Sequence, residues 1–204
     1  MFDSPRHILH VGGNLAQGVE QLLALYSNTL ESITYIECIP PVYEELMNHL
    51  KAVQPTTRVA LKAVCALVSN EDGKECDFFI SSNQGQSSSI YPPNSTEWAW
   101  DWVKFVGKIR LTTATIDSLR GQGILKGGYD TLVLDTQGSE LNVLQGALSL
   151  LPEVTQIQTE FSMREFYSGG VLYPELLRFL HEKGFEEVYR EPGDHGDMVL
   201  KRVR

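Results

Sequence analysis

Residues 7–17 read HILHVGGNLAQ and place a short β-rich run directly before a pair of glycines. The residues that follow, 15–25, carry apolar side chains at the spacing of one helix face. A strand, a glycine turn and a helix in this order are typical of the first βα unit of an α/β fold. We therefore predict that this stretch starts a sheet whose strands alternate with helices.

The same alternation continues to the end of the chain. Further strands are predicted at residues 33–36, 59–67, 75–80, 109–113, 129–134, 155–161, 185–189 and 197–203, and helices at residues 40–50, 115–120, 138–151 and 173–183. Repeated βα units with right-handed crossovers predict a doubly wound, mostly parallel sheet. The reversal at residues 191–196 predicts an antiparallel hairpin at the end of that sheet.

Two segments interrupt the alternation. Turn residues at 70–73 predict that residues 75–80 fold back after the strand at 59–67 as an extra antiparallel hairpin, before the strand at 129–134. Residues 81–101 are polar and aromatic and form the predicted long loop. Three aromatic side chains have the spacing of a helix face, which favours core packing and leaves open a lid over an apolar ligand: Trp98, Trp102 and Phe105.

Length and composition limit the possible classes of protein. With 204 residues, 42% of them hydrophobic and 21% charged, the chain is expected to form one domain over residues 1–204. The net charge of −9 opposes a nucleic-acid or anionic membrane partner. No charged and apolar leader precedes the first strand, which predicts a cytoplasmic protein.

Neither a metal nor a disulfide is expected. His195 lies between Asp194 and Asp197 in the predicted terminal turn, an arrangement better explained as a solvated surface than as a metal site. The cysteines lack the spacing of a zinc site and are expected to be reduced, buried thiols: Cys38, Cys65 and Cys76.

The ligand is expected at the carboxyl ends of the parallel strands, where such sheets bind their ligands. Glu37 closes the second strand 25 positions beyond Gly12, a distance at which an acid accepts hydrogen bonds from ribose hydroxyls. The dinucleotide fingerprint needs glycines at its third and sixth positions, which are Asn14 and Gln17 here. A nucleoside-containing cofactor other than NAD is therefore indicated.

Two motifs resemble those of the FkbM-type methyltransferases. Residues 10–17, HVGGNLAQ, are similar to the family's DVGANxGQ, and residues 135–140, DTQGSE, are similar to its DVEGAE. The resemblance covers nearly the whole chain. It implies a Rossmann-like class I fold with a seven-stranded sheet, and S-adenosylmethionine (SAM) as cofactor. It also implies O-methylation of a small-molecule hydroxyl on a sugar or secondary metabolite.

The expected site residues combine the strand ends with the matched motifs. Asp135 is the first candidate for the base that deprotonates the acceptor, and Glu160 is the second. Asp135 has an alternative role, that of a carboxylate capping the helix near Gly138. The expected cofactor-binding residues are His10, Gly12, Gly13, Asn14, Gln17, Glu37, Ala66, Ser88, Asp135 and Gln137.

Three departures from the family motifs keep other functions open. His10 replaces an acid and is expected to accept a backbone hydrogen bond, Ala16 replaces a glycine and fits if its φ is negative, and Gln137 replaces a glutamate. The alternatives are a noncatalytic SAM-binding or interaction subunit, N-methylation of an amine or amide, and an NAD-dependent oxidoreductase. The pocket is expected to be open to solvent or completed by a second subunit, which makes a homodimer the candidate assembly.

Overall fold

The computed structural model describes residues 2–203, which form ten strands and five α-helices. The strands are β1 (His7–Val11), β2 (Ser32–Glu37), β3 (Ala60–Cys65), β4 (Leu67–Val68), β5 (Glu75–Ser81), β6 (Phe105–Ala114), β7 (Thr131–Leu134), β8 (Gln156–Ser162), β9 (Phe185–Arg190) and β10 (His195–Arg202). The helices are α1 (Val19–Leu25), α2 (Pro40–Val53), α3 (Ile116–Gly121), α4 (Glu140–Gln145) and α5 (Tyr173–Glu182).

Seven of the strands form the main sheet, in the order β3-β2-β1-β7-β8-β10-β9 within residues 2–203. The first five strands in this order, β3, β2, β1, β7 and β8, are parallel. Strand β10 runs antiparallel to both of its neighbours, β8 and β9. The predicted mostly parallel sheet with an antiparallel terminal hairpin is confirmed. The central strand β7 (TLVL) is fully buried and β1 (HILHV) is buried at three of its five residues, because helices cover the sheet on both faces.

Each face of the main sheet has its own hydrophobic core. On one face, side chains of α3, α4 and α5 pack against Leu9, Leu132 and Ile157. On the other face, α1 and α2 pack against Ile8 and Ile33. This two-sided packing leaves the carboxyl ends of β1, β2, β7 and β8 together at one edge.

The predicted hairpin between residues 59–67 and 75–80 is wrong in its pairing. A second sheet has the order β4-β6-β5, and β5 pairs antiparallel with β6. Leu67 pairs with Thr113 at the end of β6, so the turn at residues 70–73 carries the chain across β6 to its other side. Turn residues specify a reversal but not the partner, which is selected here by packing of Phe78 against its apolar neighbours.

The aromatic side chains predicted to favour core packing do not share a helix face, since residues 94–104 form turns and extended chain. Trp98 packs edge-on against Phe105 and Tyr167, while Trp102 is 70% exposed. The indole N–H of Trp98 donates to the Trp100 carbonyl at 2.9 Å, which stabilises a compact non-helical segment. Spacing alone did not distinguish this cluster from a helix face.

Within residues 2–203, no helix has the length and apolar character needed to cross a membrane.

Candidate active site

A cavity of about 300 Å³ opens at the carboxyl ends of β1, β2 and β7. Its volume lies at the lower end of the range for small-molecule sites. Nine of the ten predicted cofactor-binding residues line it: His10, Gly12, Gly13, Asn14, Gln17, Glu37, Ser88, Asp135 and Gln137. The topology therefore brings distant parts of the sequence to one place.

Ala66 does not line the cavity. It is half-buried and packs against the core under the main sheet, while the next two residues, Leu67 and Val68, face the cavity. The chain passes at this point from β3 into β4, and the prediction misplaced the lining by one residue.

The glycine turn is required by contacts between strands. Gly12 has a φ of 82°, and a Cβ there would lie 1.7 Å from the Asp135 carbonyl oxygen. A Cβ on Gly13 would lie 2.8 Å from the ring of Tyr35. Both glycine N–H groups donate to the Ile36 carbonyl, at 3.0 and 2.9 Å. The pair thus lets β1 approach β2 and β7 closely at the floor of the cavity.

Ala16 has a φ of 55°, so the turn does not meet the condition of a negative φ under which Ala16 was predicted to fit without strain. A left-handed conformation costs an L-residue roughly 1–2 kcal/mol. The methyl group is buried in the core with Val19, and this burial offsets part of the strain.

Glu37 holds the glycine turn in place. Its Oε2 accepts a hydrogen bond from the Asn14 N–H at 3.0 Å, and its Oε1 accepts one from the Ile39 N–H at 2.8 Å. Burial raises the pKa of Glu37, and these hydrogen bonds oppose the increase. Each carboxylate oxygen retains a second acceptor direction for a ligand.

His10 does not accept the expected backbone hydrogen bond, because its ring has no hydrogen-bond partner within residues 2–203. The ring lies 5.3 Å from that of Tyr35, centroid to centroid. Burial lowers the pKa of His10 to about 4, so the ring is neutral at pH 7.

The loop over the cavity is built from polar side chains. Asn14 donates its amide to the Gln84 carbonyl at 2.9 Å and accepts from Gln17 at 2.7 Å. The Ser88 hydroxyl accepts from the Ser81 N–H at 3.0 Å, and Ser88 is buried. The serine run is therefore an ordered wall of the cavity.

Asp135 and Glu160 are joined by the side chain of Gln137. The Gln137 amide donates to Asp135 Oδ1 at 2.6 Å and to Glu160 Oε2 at 2.7 Å, and its oxygen accepts from the Tyr167 hydroxyl at 2.6 Å. Burial raises the pKa of Asp135 to about 7. Burial and the neighbouring Asp135 charge raise the pKa of Glu160 well above its ordinary value. We call these two residues the acid pair.

Asp135 does not take the capping role considered for it, because among the described residues the N-terminus of α4 has no side-chain cap hydrogen bond. Glu140 Oε1 accepts from the N–H groups of Thr136 and Gly138, at 2.9 and 3.2 Å. Glu140 therefore stabilises the turn before α4, and the Asp135 carboxylate faces the cavity and Gln137.

His195 is the site residue that sequence reasoning missed. It was expected in a solvated turn, yet it begins β10, half-buried, opposite Ser162 of β8. Its Nδ1 lies 2.9 Å from the Ser162 hydroxyl, and its Nε2 lies 3.6 Å from Glu160 Oε1. The signal that could have found it is the antiparallel register of the terminal hairpin against β8.

The predicted burial of the cysteines is wrong for Cys65, which is exposed, while Cys38 and Cys76 are half-buried. All three thiols are free in this structure. Cys38 lines the cavity, and burial raises its pKa well above the ordinary value. No cluster that could hold a metal ion occurs within residues 2–203.

The comparison with protein families gives one match over most of the chain. The model of the methyltransferase FkbM domain matches residues 10–187. This range includes both sequence motifs and every residue that lines the cavity.

Individual proteins give the same result. The chain is 30% identical over 204 residues to the 2-O-methyltransferase NoeI of Sinorhizobium fredii (strain NBRC 101917 / NGR234), covering 97% of this chain and 79% of NoeI. The crystal structure of methyltransferase FkbM from Methylobacillus flagellatus KT superposes with a TM-score of 0.62 at 12% identity, covering 98% of this chain and 44% of that one. Sp1610 of Streptococcus pneumoniae, solved in complex with SAM, gives a TM-score of 0.50 at 13% identity, with coverages of 98% and 70%. These two structures share the fold, and this chain spans less than half of the FkbM chain.

Proposed function

This chain belongs to the FkbM methyltransferase family, and we propose that it methylates a hydroxyl group of a small molecule, a sugar or a secondary metabolite, with SAM as the methyl donor. The observation that carries the proposal is the acid pair, which is joined by Gln137 and whose member Asp135 lines the strand-end cavity.

The cavity residues fit the parts of the cofactor. Glu37 is the residue that would accept hydrogen bonds from the ribose hydroxyls, since it keeps free acceptor directions inside the cavity. Ile39, Leu67 and Phe78 provide an apolar wall that suits a purine ring. Asn14 and Gln17 offer amide groups on the glycine-turn side for the amino-acid end. When bound, SAM supplies a methyl group on a positively charged sulfur.

The acid pair supplies the proton acceptor that a hydroxyl needs to become a nucleophile. The Asp135 and Glu160 carboxyl groups are bridged by one amide, and two negative charges this close would repel each other. The pair therefore holds one proton at neutral pH. The raised pKa of Asp135, about 7, places its ionised form in the working range of a general base. Asp135 lines the cavity and is linked to Glu160 by Gln137, which supports a position for the acceptor next to Asp135.

The departures from the family motifs do not favour the noncatalytic alternative. Glu37 holds the turn that the missing acid at position 10 would hold. Gln137 loses a charge but donates to both carboxyl groups, which a glutamate side chain cannot do when ionised. A hydroxyl acceptor is favoured over an amine because the relative NoeI is named a 2-O-methyltransferase and because a base is built into the site.

Calorimetry and product detection test the proposal together. We expect SAM to bind to the native chain and NAD to produce no heat. We then expect S-adenosylhomocysteine to be released with a panel of methyl glycosides or alcohols as acceptors, and not with matched amino sugars blocked at their hydroxyls. SAM binding without release on any acceptor would favour a noncatalytic subunit, and release with the blocked amines would favour N-methylation.

A further inference from the structure

The group of Ser162, His195 and their aromatic neighbours has no role in the function proposed so far. The His195 ring lies 5.2 Å from the Trp100 ring and 5.5 Å from the Phe166 ring, in both cases edge-on. Ser162 contacts Nδ1 and Glu160 faces Nε2, so both ring nitrogens have a polar neighbour and the ring has one preferred orientation.

The acid pair needs an outlet for the proton that it receives. The pair already holds one proton at neutral pH, so it holds two once Asp135 has taken the hydroxyl proton, and it must lose one before the next turnover. Glu160 is largely enclosed, and Gln137 beside it offers N–H donors at Oε2 but no acceptor there. The nearest basic atom facing the other oxygen, Oε1, is Nε2 of His195.

We propose that His195 is the proton outlet of the acid pair and receives a proton from Glu160 after the acceptor hydroxyl has given its own proton to Asp135. The proposal rests on the methyl transfer proposed above. Because His195 acts through Glu160, it is a positioning and relay residue rather than one that contacts the acceptor.

The transfer balances in protons and electrons. The acceptor hydroxyl gives its proton to ionised Asp135, and the acid pair, which then holds two protons, gives one of them from Glu160 to Nε2 of His195. The hydroxyl oxygen keeps the electron pair of the broken O–H bond and forms with it the bond to the methyl carbon, whose former bonding pair stays on sulfur. The imidazolium then releases its proton to water, since 25% of the His195 side chain is exposed.

The charges around His195 keep the ring neutral but able to accept a proton. Burial lowers its pKa, and Asp197 on its own strand and Glu191 before that strand oppose the decrease. Glu160 faces it from β8. The guanidinium of Arg164 lies 5.4 Å from the centre of the Phe166 ring, which in turn packs against His195. A neutral ring with acidic neighbours suits transient protonation.

Nitrogen NMR of the chain labelled with ¹⁵N-histidine tests the proposal without an acceptor. We expect His195 at pH 7 to be neutral, with its proton on Nδ1 towards Ser162 and its lone pair on Nε2 towards Glu160. The His195→Gln variant identifies the signals, because they disappear in it. A proton on Nε2 with an unprotonated Nδ1 would overturn the proposal, since the ring could then accept nothing from Glu160.

Turnover provides the second readout, with the methyl glycoside that the native chain methylates fastest as the probe. We expect His195→Gln to lower kcat by about 100-fold, in the range of general acid–base effects, with SAM affinity unchanged. The same change at His181 in α5 is the matched control and keeps native kcat. Added imidazole is expected to restore turnover to His195→Ala.

A native kcat in His195→Gln would contradict the relay. If the native chain methylates none of the probes, the proposed hydroxyl methylation fails, and the NMR tautomer alone then decides whether His195 is arranged to accept a proton from Glu160.

Discussion

At the scale of single residues, the site depends on side chains whose partners were not adjacent in sequence. Glu37, Asp135 and Gln137 were predicted to meet because the ends of parallel strands share an edge. That Gln137 joins two acids was not predictable, because it depends on a left-handed φ of 54° at Gln137 and on the position of Glu160 in the next strand. Sequence spacing specified the neighbourhood, and side-chain geometry specified the chemistry.

Removing the Glu37 carboxylate should weaken SAM binding. Hydrogen bonds to charged groups contribute about 1.5–3 kcal/mol, so we expect Glu37→Ala to raise the Kd for SAM by about 10- to 100-fold in calorimetry. Glu44→Ala, at an exposed position of α2, is the control and should bind like the native chain. An unchanged Kd in Glu37→Ala would exclude the ribose assignment.

Replacing Asp135 should affect turnover more than binding. Asn keeps an oxygen for the Gln137 amide but cannot take a proton, so we expect Asp135→Asn to lower kcat by about 100-fold with a Kd for SAM near that of the native chain. The Asp101→Asn variant changes an exposed residue in the same way and serves as control. The opposite order of effects would reassign Asp135 to cofactor binding.

The pH dependence of methyl transfer should report the same group. Only ionised Asp135 accepts a proton, so we expect kcat of the native chain to fall as pH decreases through about 7. A rate that is flat from pH 8 to about pH 6 would show that another group is the base.

Burial of Asp135 should also appear in stability. Its pKa in the folded chain is raised to about 7 from 3.8, so across that window the folded chain keeps a proton that the unfolded chain has lost. The contribution of Asp135 to the free energy of unfolding therefore decreases as pH rises from about 4 to about 7, with a limiting slope of about 1.4 kcal/mol per pH unit. We expect Asp135→Asn to gain stability relative to the native chain over this window in urea titrations. A difference that does not change with pH would contradict the raised pKa.

At the scale of elements, the alternation of strands and helices was predictable and the second sheet was not. The sequence pattern located β1, β2, β7 and β8 well: β7 is a short, mostly apolar run that is buried on both faces, and the other three carry β-branched or apolar residues between turn signals. The strand that pairs with β5 is β6, which begins more than 20 residues further along the chain. Non-local pairing of that kind leaves no signal in a local pattern.

The glycine turn after β1 gives an element-scale test. We expect Gly12→Ala to prevent folding or to lower the free energy of unfolding by more than about 4 kcal/mol, because its Cβ would overlap the Asp135 carbonyl oxygen at 1.7 Å. Gly73→Ala is a matched control, since Gly73 has a φ of 75° and no atom within 4 Å of the added Cβ. It should cost roughly 1–2 kcal/mol. Equal losses in thermal unfolding would show that strain at positive φ, not the contact with β7, requires Gly12.

At the scale of the whole molecule, we propose that residues 1–204 act as one domain. The second sheet contributes Leu67, Val68 and Phe78 to the cavity, so both sheets build the same site. We expect urea unfolding followed by tryptophan fluorescence, which reports residues 98–102, to coincide with unfolding followed by circular dichroism. Separate midpoints would indicate two independent units.

The proposed reaction transfers the methyl carbon of SAM to a hydroxyl oxygen, and NMR with SAM labelled by ¹³C in its methyl group follows that carbon directly. We expect the labelled signal to move from the sulfur-bound methyl to an oxygen-bound methyl on the acceptor, at a rate that falls in Asp135→Asn. A signal that remains on sulfur in the presence of every hydroxyl acceptor, or that appears on nitrogen, would contradict it.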